Sequence, residues 1–327
     1  MGIKIKSFGG LPIWFLRKHY SVMTSKVMLT VVSKRYDRLI RMYIKWFLSQ
    51  EETPLFQNVM IETINRCNGI CSFCPANRVD ESRPFMKMSV EIFQEIIDQL
   101  KNLEWKGKLF LCVNNEPFID NRILEFAEYA KENLKGAKTA LITNGTLIDE
   151  KKLAEMPGVI DQIVINDYSE KYVISEKHKI IFQYIKRHEE EFKEIDITIN
   201  RRYTKEILST RAGSAPNKKK KNNKVNTPCI YPFTDLVIFP DGQVGICCND
   251  CAEKSHFGDI TKEPIVDIWS NRRFEEARKA LSEGRSSYEF CYECDVVDAG
   301  ERETYIKKWF RKINCNGLSQ TGRILKR

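Results

Sequence analysis

The chain has 327 residues and a formal net charge of +9, and 42% of its residues are hydrophobic. No apolar run reaches the roughly 18 residues that a transmembrane helix needs, so the sequence predicts no membrane span. Eleven cysteines in tight clusters favour metal ligation in a reducing, cytoplasmic compartment over the disulfide framework of a small secreted domain.

The N-terminal arm, residues 1–56, is basic. Its first 50 residues carry ten Lys or Arg and one acid, so the whole positive charge excess lies there. Residues 51–327 have no net charge, so their composition does not predict nucleic-acid binding. On a helical projection one face is apolar and the opposite face is basic. The apolar face holds Val32, Tyr36, Leu39, Tyr43 and Phe47, and the basic face holds Lys34, Arg38, Arg41 and Lys45. Residues 11–50 could therefore contact an anionic membrane surface, or the helix could pack on the protein with its basic face in water.

From residue 57 short apolar strands alternate with amphipathic helices. Strands are predicted at 58–63, 109–113, 139–143, 160–165 and 195–199, and helices at 89–103, 121–134, 148–154 and within 177–191. This repetition predicts an α/β fold with a parallel sheet and right-handed crossovers over residues 57–211. Only five strands are clear, and a sixth is not evident.

Three closely spaced cysteines follow the first strand. Cys67, Cys71 and Cys74 have the spacing C-x3-C-x2-C. Three thiolates can hold three irons of a cubane cluster and leave the fourth iron open, whereas most such clusters use four cysteines. Structural zinc is the alternative, but it needs a fourth ligand, and no Cys or His lies between Cys74 and Cys112.

Polar segments follow the next three predicted strands. Asn114-Asn115-Glu116-Pro117 comes after the second strand, Thr143-Asn144-Gly145 after the third and Asn166 after the fourth. With the cysteine spacing they resemble the signature of the radical S-adenosylmethionine (radical SAM) superfamily, in which a Gly-Gly-Glu-Pro motif occupies the place of the first segment. Here Asn replaces both glycines.

The resemblance implies a partial (β/α) TIM-like barrel whose 4Fe-4S cluster binds S-adenosylmethionine (SAM) through the open iron. Reductive cleavage of SAM would then yield a 5′-deoxyadenosyl radical, with a flavodoxin- or ferredoxin-type protein as electron donor. The active site would lie at the carboxyl ends of the strands, as in other barrels. The resemblance assigns cofactor binding to Asn115, Glu116, Asn144, Asn166 and Phe73.

Residues 212–299 form a second predicted unit, followed by a basic tail at 300–327. It begins with a loop that contains four consecutive lysines, Lys218 to Lys221. Apolar runs at 236–239 and 244–247 flank Pro240-Asp241-Gly242-Gln243 and predict a hairpin, and a helix is predicted around 265–281.

A second cysteine set lies in this unit and resembles the SPASM or Twitch domains that bind auxiliary 4Fe-4S clusters. The resemblance assigns Cys229, Cys247, Cys291 and Cys294 as ligands of one auxiliary cluster, as in the shorter Twitch form. Cys248 or Cys251 could replace one of these ligands. Cys248 is expected to pack as a small apolar residue, Cys112 to lie in the core and Cys315 to be incidental.

Arg211 stands at the junction of the two units, where Twitch enzymes carry an Arg-x-Gly stretch. In the 2-deoxy-scyllo-inosamine dehydrogenase relatives an arginine there contacts the substrate, so the resemblance makes Arg211 the candidate catalytic residue; a surface arginine is the alternative. Arg201 and Arg202 could instead reach the SAM carboxylate. His178 and His188 fall in a charged helix and are expected to be exposed.

The resemblance to 2-deoxy-scyllo-inosamine dehydrogenase-like proteins implies oxidation of a secondary alcohol of a sugar or cyclitol, with the auxiliary cluster as electron acceptor. Epimerisation of a sugar is the alternative, with Cys248, Cys251 or Cys315 returning a hydrogen atom from its thiol. A peptide-modifying maturase and a non-catalytic iron–sulfur protein are weaker alternatives.

Overall fold

The computed structural model describes residues 37–76, 83–170, 173–217 and 226–296. Within these ranges no helix has both the length and the hydrophobicity to cross a bilayer. The predictions for Val32, Lys34, Tyr36, the lysine run, Cys315 and the C-terminal tail lie outside the described residues.

Eight strands form one continuous sheet in the order β5-β4-β3-β2-β1-β6-β7-β8. The strands are β1 Asn58–Ile61, β2 Lys108–Phe110, β3 Lys138–Thr143, β4 Gln162–Ser169, β5 Asp196–Tyr203, β6 Asp235–Ile238, β7 Gln243–Gly245 and β8 Gly258–Asp259. From β5 to β6 every pairing is parallel, and β7 and β8 then add antiparallel strands. The sheet does not close, which confirms the predicted partial barrel.

Helices lie before, between and after the strands. They are α1 at 37–48, α2 Val90–Asn102, α3 Ile123–Asn133, α4 Glu150–Glu155, α5 Glu176–Arg187, α6 Glu189–Phe192, α7 Tyr231–Thr234, α8 Ile265–Trp269 and α9 Arg272–Glu283. Short 3-10 turns cover Pro117–Ile119, Arg285–Ser287 and Glu289–Cys291. In α2, the Ser89 side chain caps the first turn by accepting from the Ile92 amide, and the predicted apolar face is buried.

The sixth parallel strand comes from the segment assigned to the C-terminal unit. The sequence predicts the run 236–239 as one arm of a hairpin beyond residue 212, and β6, which contains most of this run, does pair with β7. It also lies parallel to β1, with Asn58 opposite Asp235 and Ile61 opposite Ile238. All four residues of β6 are buried, as in a central parallel strand. The sheet is therefore continuous across the predicted domain boundary.

Helix α1 packs against the body of the protein. Tyr43, Ile44 and Phe47 are buried, and the Phe47 ring meets the edge of Phe233 at 5.1 Å between centroids. Arg38, Arg41 and Lys45 are exposed on the opposite side. Over residues 37–48 the structure thus matches the packed alternative, because the apolar face that would enter a membrane is covered by protein.

Candidate active site

The cysteine loop leaves the carboxyl end of β1. Cys67, Cys71 and Cys74 form no disulfide and are half-buried. The loop is fixed locally, since the Cys74 amide donates to the Cys71 carbonyl at 3.1 Å and the Gly69 amide donates to Cys67 Sγ at 3.3 Å. Burial raises the pKa of Cys67, and Glu116, Cys74 and Cys71 raise it further. The three thiols therefore lie near one another and near the end of β2.

Glu116 ties the ends of two neighbouring strands together. Its Oε1 accepts the Thr143 hydroxyl at 2.6 Å, its Oε2 accepts the Asn144 amide at 2.7 Å, and its own amide donates to the Arg66 carbonyl at 3.0 Å. The residue is 1% exposed. Burial raises the pKa of its carboxyl group, against the lowering effect of the Asn144 and Thr143 hydrogen bonds. Glu116 lies beside the cysteine loop, as the sequence analysis expects of a cofactor-binding residue. Its carboxylate oxygens, however, accept hydrogen bonds from Thr143 and Asn144.

The turn after β3 is held from behind by a buried histidine. Gly145 has φ +74, and a Cβ there would lie 2.7 Å from both His178 Nε2 and Ile165 Cγ2. His178 Nε2 also lies 2.9 Å from the Asn144 carbonyl oxygen. Asn144 Nδ2 donates to Asn68 Oδ1 in the cysteine loop at 2.7 Å. The turn therefore links the cysteine loop to helix α5.

The prediction that His178 is exposed is wrong. It is 3% exposed, and its Nδ1 lies 2.6 Å from Ser175 Oγ and 3.2 Å from Asp167 Oδ1. Desolvation by burial lowers its pKa. The sequence of α5 is mostly charged, so it does not indicate that His178 lies on the one buried face of the helix. That face contacts β4 and the turn at Asn144. His188 is half-buried.

The other predicted cofactor residues line the same end of the sheet. Asn115 Oδ1 accepts the Val113 amide at 2.9 Å, and its buried Nδ2 has no hydrogen-bond partner. Asn166 lies within β4, which is longer than predicted, and its Oδ1 accepts from Asn200 at 3.2 Å. The Phe73 ring is buried and packs on Tyr168 of β4, with 5.7 Å between centroids.

Arg211 reaches the interior of the site. The residue is half-buried, and its Nη1 donates to Asn114 Oδ1 at 2.9 Å and to Cys251 Sγ at 3.3 Å, so its guanidinium points into the protein. Nearby Cys251 raises the pKa of the guanidinium, and Cys74 adds to this effect. Arg211 and Ala212 have φ +47 and +52, an uncommon conformation for residues with a side chain. With this left-handed backbone conformation, the Arg211 side chain lies close enough to the cysteine loop to interact with Cys74.

Cys251 belongs to this group and not to the second cysteine set. It is 4% exposed, and its thiol donates to Asn114 Oδ1 at 3.1 Å. Burial raises the pKa of the thiol, although Arg211 lowers it. The Asn114 side chain is also buried, and its Nδ2 has no hydrogen-bond partner. No local sequence pattern indicates this grouping, since Asn114 and Cys251 are 137 residues apart.

The four predicted auxiliary ligands come together on the other side of the C-terminal segment. Cys229, Cys247, Cys291 and Cys294 are all buried and form no disulfide. Burial raises the pKa of Cys247 well above its ordinary value, and the other three cysteines and Cys248 add to the rise. Arg285 lies close enough for Cys229, Cys294 and Cys291 to raise its pKa, although its burial opposes this. A buried cation beside three of the four thiols suits a group that brings negative charge.

These two cysteine sets fit iron–sulfur clusters. Across the described ranges, no three Cys, His, Asp or Glu side chains converge as ligands of a single metal ion. Thiolates of a cluster each bind a different iron, so they surround the cluster and do not meet at one ion. Three half-buried thiols on one loop match a cluster with an open iron. Four buried thiols, three of them beside Arg285, match a fully ligated cluster.

A buried ionic group connects the barrel to the C-terminal segment. Glu62 follows β1 directly, is 0% exposed, and accepts the Asn114 amide at 2.9 Å. Arg83 Nη1 lies 3.3 Å from Glu62 Oε2 and 2.6 Å from Glu253 Oε1. Burial raises the pKa of Glu62 despite Arg83, and the second carboxylate adds to the rise. The sequence analysis did not identify this group.

Family models match both parts of this arrangement. A model of the radical SAM superfamily matches residues 61–166, and a model of the SPASM iron–sulfur cluster-binding domain matches residues 229–295. The chain is therefore a radical SAM enzyme with a SPASM-type iron–sulfur domain, and it uses SAM and iron–sulfur clusters.

The chain is also similar to individual proteins of known activity or structure. The chain is 26% identical over 256 residues to the S-adenosyl-L-methionine-dependent 2-deoxy-scyllo-inosamine dehydrogenase of Niallia circulans, covering 77% of this chain and 97% of that protein. It resembles the crystal structure of BtrN in complex with AdoMet and 2-DOIA, with 25% identity, a TM-score of 0.63 and coverage of 74% of this chain and 94% of that one. An open conformation of BtrN matches with 22% identity, a TM-score of 0.56 and coverage of 74% and 94%.

Proposed function

We propose that this enzyme oxidises a secondary alcohol of a cyclitol or sugar. The observation that carries the proposal is the position of Arg211, whose guanidinium lies beside Asn114 and Cys251 and within the electrostatic reach of Cys74. A substrate bound there lies close to the cysteine loop of the radical SAM domain. The similarity to a dehydrogenase of 2-deoxy-scyllo-inosamine over most of both chains supports an alcohol of this class.

The cysteines have two tasks in this proposal. Cys67, Cys71 and Cys74 hold the core 4Fe-4S cluster and leave one iron for SAM. The four buried cysteines Cys229, Cys247, Cys291 and Cys294 hold a single auxiliary 4Fe-4S cluster of the Twitch type. When bound, the core cluster and SAM would supply a 5′-deoxyadenosyl radical that takes a hydrogen atom from the substrate. The auxiliary cluster would accept the second electron.

Residues at the strand ends position SAM. Glu116 keeps the ends of β2 and β3 together, and the edge that it organises receives the amino group of SAM. Asn144, joined to the cysteine loop through Asn68, fixes the neighbouring edge. Asn115 has a buried donor without a partner, which is available to an oxygen of SAM. Asn166 would contact the ribose of SAM, and the buried ring of Phe73 would supply an apolar contact.

Arg211 binds the substrate hydroxyl. A fixed cation favours the ionised form of a neighbouring group, so it assists the loss of the hydroxyl proton that oxidation requires. Asn114 holds the guanidinium in this orientation through the 2.9 Å hydrogen bond. Arginine also suits the role because it stays charged at any pH at which the enzyme works.

The partners follow from this chemistry. The core cluster needs a low-potential one-electron donor of the flavodoxin or ferredoxin type. The many cysteines that form no disulfide favour a reducing, cytoplasmic compartment. The apolar side of α1 is packed against the protein, so only its exposed basic side could contact a membrane. Sedimentation with anionic liposomes, at low and high salt, tests whether that basic side binds a membrane surface.

The substrate assay uses anaerobically reconstituted enzyme with SAM, a one-electron reductant and a panel of aminocyclitols that includes 2-deoxy-scyllo-inosamine. We expect a ketone product and one 5′-deoxyadenosine for each ketone. Arg211→Ala should lower ketone formation by at least about tenfold while 5′-deoxyadenosine still forms. Arg187→Ala, whose side chain is 65% exposed, is the control and should behave as wild type. Equal ketone formation by the Arg211 and Arg187 variants would contradict the substrate role of Arg211.

Iron content tests the cluster assignments. The reconstituted enzyme should hold about eight irons per chain, four in each cluster. Replacing Cys67, Cys71 and Cys74 by Ala should remove about four irons and all SAM cleavage. Replacing the four C-terminal ligands should remove the other four and leave SAM cleavage. A wild-type content near four irons would rule out the auxiliary cluster.

A further inference from the structure

Arg285 connects the two ends of the C-terminal cysteine set. It lies in the 3-10 turn after α9 and is 5% exposed. Its Nη1 donates to the Thr227 hydroxyl at 2.6 Å and to the Thr227 carbonyl at 3.1 Å, and its Nη2 donates to the Val296 carbonyl at 2.6 Å. Thr227 stands two residues before Cys229, and Val296 stands two residues after Cys294. The guanidinium is therefore held by the chain segments that carry the first and the last proposed ligand.

One donor of this guanidinium is left over. Within the described part of the chain, the buried Nε of Arg285 has no hydrogen-bond partner. Burial lowers the pKa of the guanidinium, but three nearby side chains raise it, and the net shift is upward: Cys229, Cys294 and Cys291. A buried N–H donor beside these thiols is available to a sulfur of a group that the cysteines bind.

A fixed cation at this place acts on the charge of a bound cluster. Four thiolates make an iron–sulfur cluster an anion, and reduction adds one more negative charge. A cation and a hydrogen bond to sulfur both stabilise the reduced form more than the oxidised form. Because Arg285 is buried, salt screens this interaction little, and arginine stays charged at any working pH.

We infer that Arg285 raises the reduction potential of the auxiliary cluster and thereby favours electron transfer from the substrate radical to that cluster. The inference rests on the proposed function, in which this cluster is the electron acceptor. Arg285 acts through the acceptor and does not touch the substrate, so it is a positioning residue.

The electron transfer is balanced by the partners already named. The substrate radical loses one electron to the cluster and one proton to solvent, and it becomes the ketone. The reduced cluster then passes its electron to an oxidised protein of the flavodoxin or ferredoxin type. A higher potential of the cluster makes the first of these two transfers more favourable.

A redox titration measures this potential directly. The full-length chain with Cys67, Cys71 and Cys74 replaced by Ala should retain only the auxiliary cluster, and electron paramagnetic resonance follows its reduced form. In this background Arg285→Gln should lower the potential by at least about 59 mV, which is a tenfold change in a one-electron equilibrium. The iron content of the same samples shows whether the cluster is still bound.

Thr227→Asp is a second variant, and it leaves Arg285 in the chain. Its carboxylate would lie where Arg285 Nη1 now meets the Thr227 hydroxyl, so it would offset the cation. It should lower the potential as Arg285→Gln does. Arg272→Gln is the matched control, because this arginine of α9 is 89% exposed and its charge is screened by water. The control should keep the potential and the iron content of its parent.

Equal potentials in Arg285→Gln, Thr227→Asp and the control would overturn the inference and leave the proposed oxidation intact. If Arg285→Gln loses its iron, the potential of Thr227→Asp decides. A lowered potential supports the inference, and an unchanged one overturns it, because Arg285 would then serve only to hold the two chain segments together. Absence of iron from the background that lacks Cys67, Cys71 and Cys74 would instead overturn the auxiliary cluster of the proposed function, and this inference with it.

Discussion

The carboxylate of Glu116 joins the carboxyl ends of β2 and β3. It accepts the Thr143 hydroxyl and the Asn144 amide, and its own amide bonds to the residue before Cys67. One residue, through its side chain and its backbone amide, thereby sets the relative position of three loops that belong to the radical SAM site. The sequence predicted that Glu116 lies at this site, but only the fold reveals its partners, because Thr143 is 27 residues further along the chain.

Gly145 can be tested against a matched glycine. Gly145→Ala should lower the free energy of unfolding by about 1–3 kcal/mol, since its φ is +74 and the new Cβ meets His178 and Ile165 at 2.7 Å. Gly158 also has a positive φ, +83, but nothing lies within 4 Å of its Cβ position. Gly158→Ala should therefore cost only the backbone strain, about 1 kcal/mol. Urea unfolding under anaerobic conditions measures both, and equal losses would contradict the close packing of this turn.

Glu62 makes stability depend on pH in a predictable direction. Its pKa is raised in the folded protein, so its contribution is fully present below about pH 4.5, the ordinary value, and is lost as the pH rises toward the folded value. Glu62→Gln keeps an acceptor for the Asn114 amide and has no proton to lose. The stability of the variant relative to wild type should therefore rise with pH, by at most about 1.4 kcal/mol per pH unit.

The measurement is urea unfolding at several pH values between 5 and 8, roughly the window in which the two states differ in protonation. Glu128, an exposed residue of α3, provides the control, and Glu128→Gln should show no such trend. A constant difference between Glu62→Gln and wild type across this range would show that Glu62 is ionised in the folded protein.

At the scale of elements, α1 contributes a wall of the C-terminal core. Phe47 packs against Phe233, and the guanidinium of buried Arg278 lies 5.2 Å from the Phe47 ring and 4.1 Å from the Trp269 ring. The Arg278 Nε donates to the Pro232 carbonyl at 2.8 Å. The helix that the sequence marked as a possible membrane contact therefore shields a buried cation.

Removal of this wall should be costly. Phe47→Ala should lower the free energy of unfolding by about 3 kcal/mol, because it empties a fully packed position and opens Arg278 to water. Leu48, the next residue, is 47% exposed, so Leu48→Ala should change stability by less than about 0.5 kcal/mol. Thermal unfolding monitored by circular dichroism compares the two, and similar midpoints would show that α1 does not stabilise the core.

Strands β4 and β5 extend beyond their predicted ends. The ladder continues with Asn166 opposite Asn200, Asp167 opposite Arg201 and Tyr168 opposite Arg202. Hydrophobic alternation identified only the apolar halves of these strands, because the polar residues at their carboxyl ends resemble a loop in sequence. Backbone pairing continues regardless of side-chain polarity, and it places polar side chains at the end of the sheet where the site is built.

At the scale of the whole molecule, β6 makes the barrel and the C-terminal segment one sheet. A chain that ends after residue 217 lacks β6 and leaves β1 as an edge strand, with fully buried Val59 and Ile61 losing part of their cover. We expect this truncated chain to aggregate or to lose cooperative unfolding. A chain that ends after residue 296 keeps every described residue and should unfold like the full chain. Size-exclusion chromatography and circular dichroism compare them. A monomeric 1–217 chain with the full-length unfolding midpoint would show that the barrel is independent.

The sequence by itself determined the two cysteine sets, the order of the polar segments after the strands and the α/β repetition. These features lie on contiguous residues, so their spacing carries the chemistry directly. Only the tertiary structure decided that β6 joins β1, that His178 is buried behind the Asn144 turn, and that Asn114, Arg211 and Cys251 meet. Arg211 and Cys251 lie 97 and 137 residues from Asn114. No local pattern encodes contacts over such separations, because they arise from the packing of strands and loops that are distant in the chain.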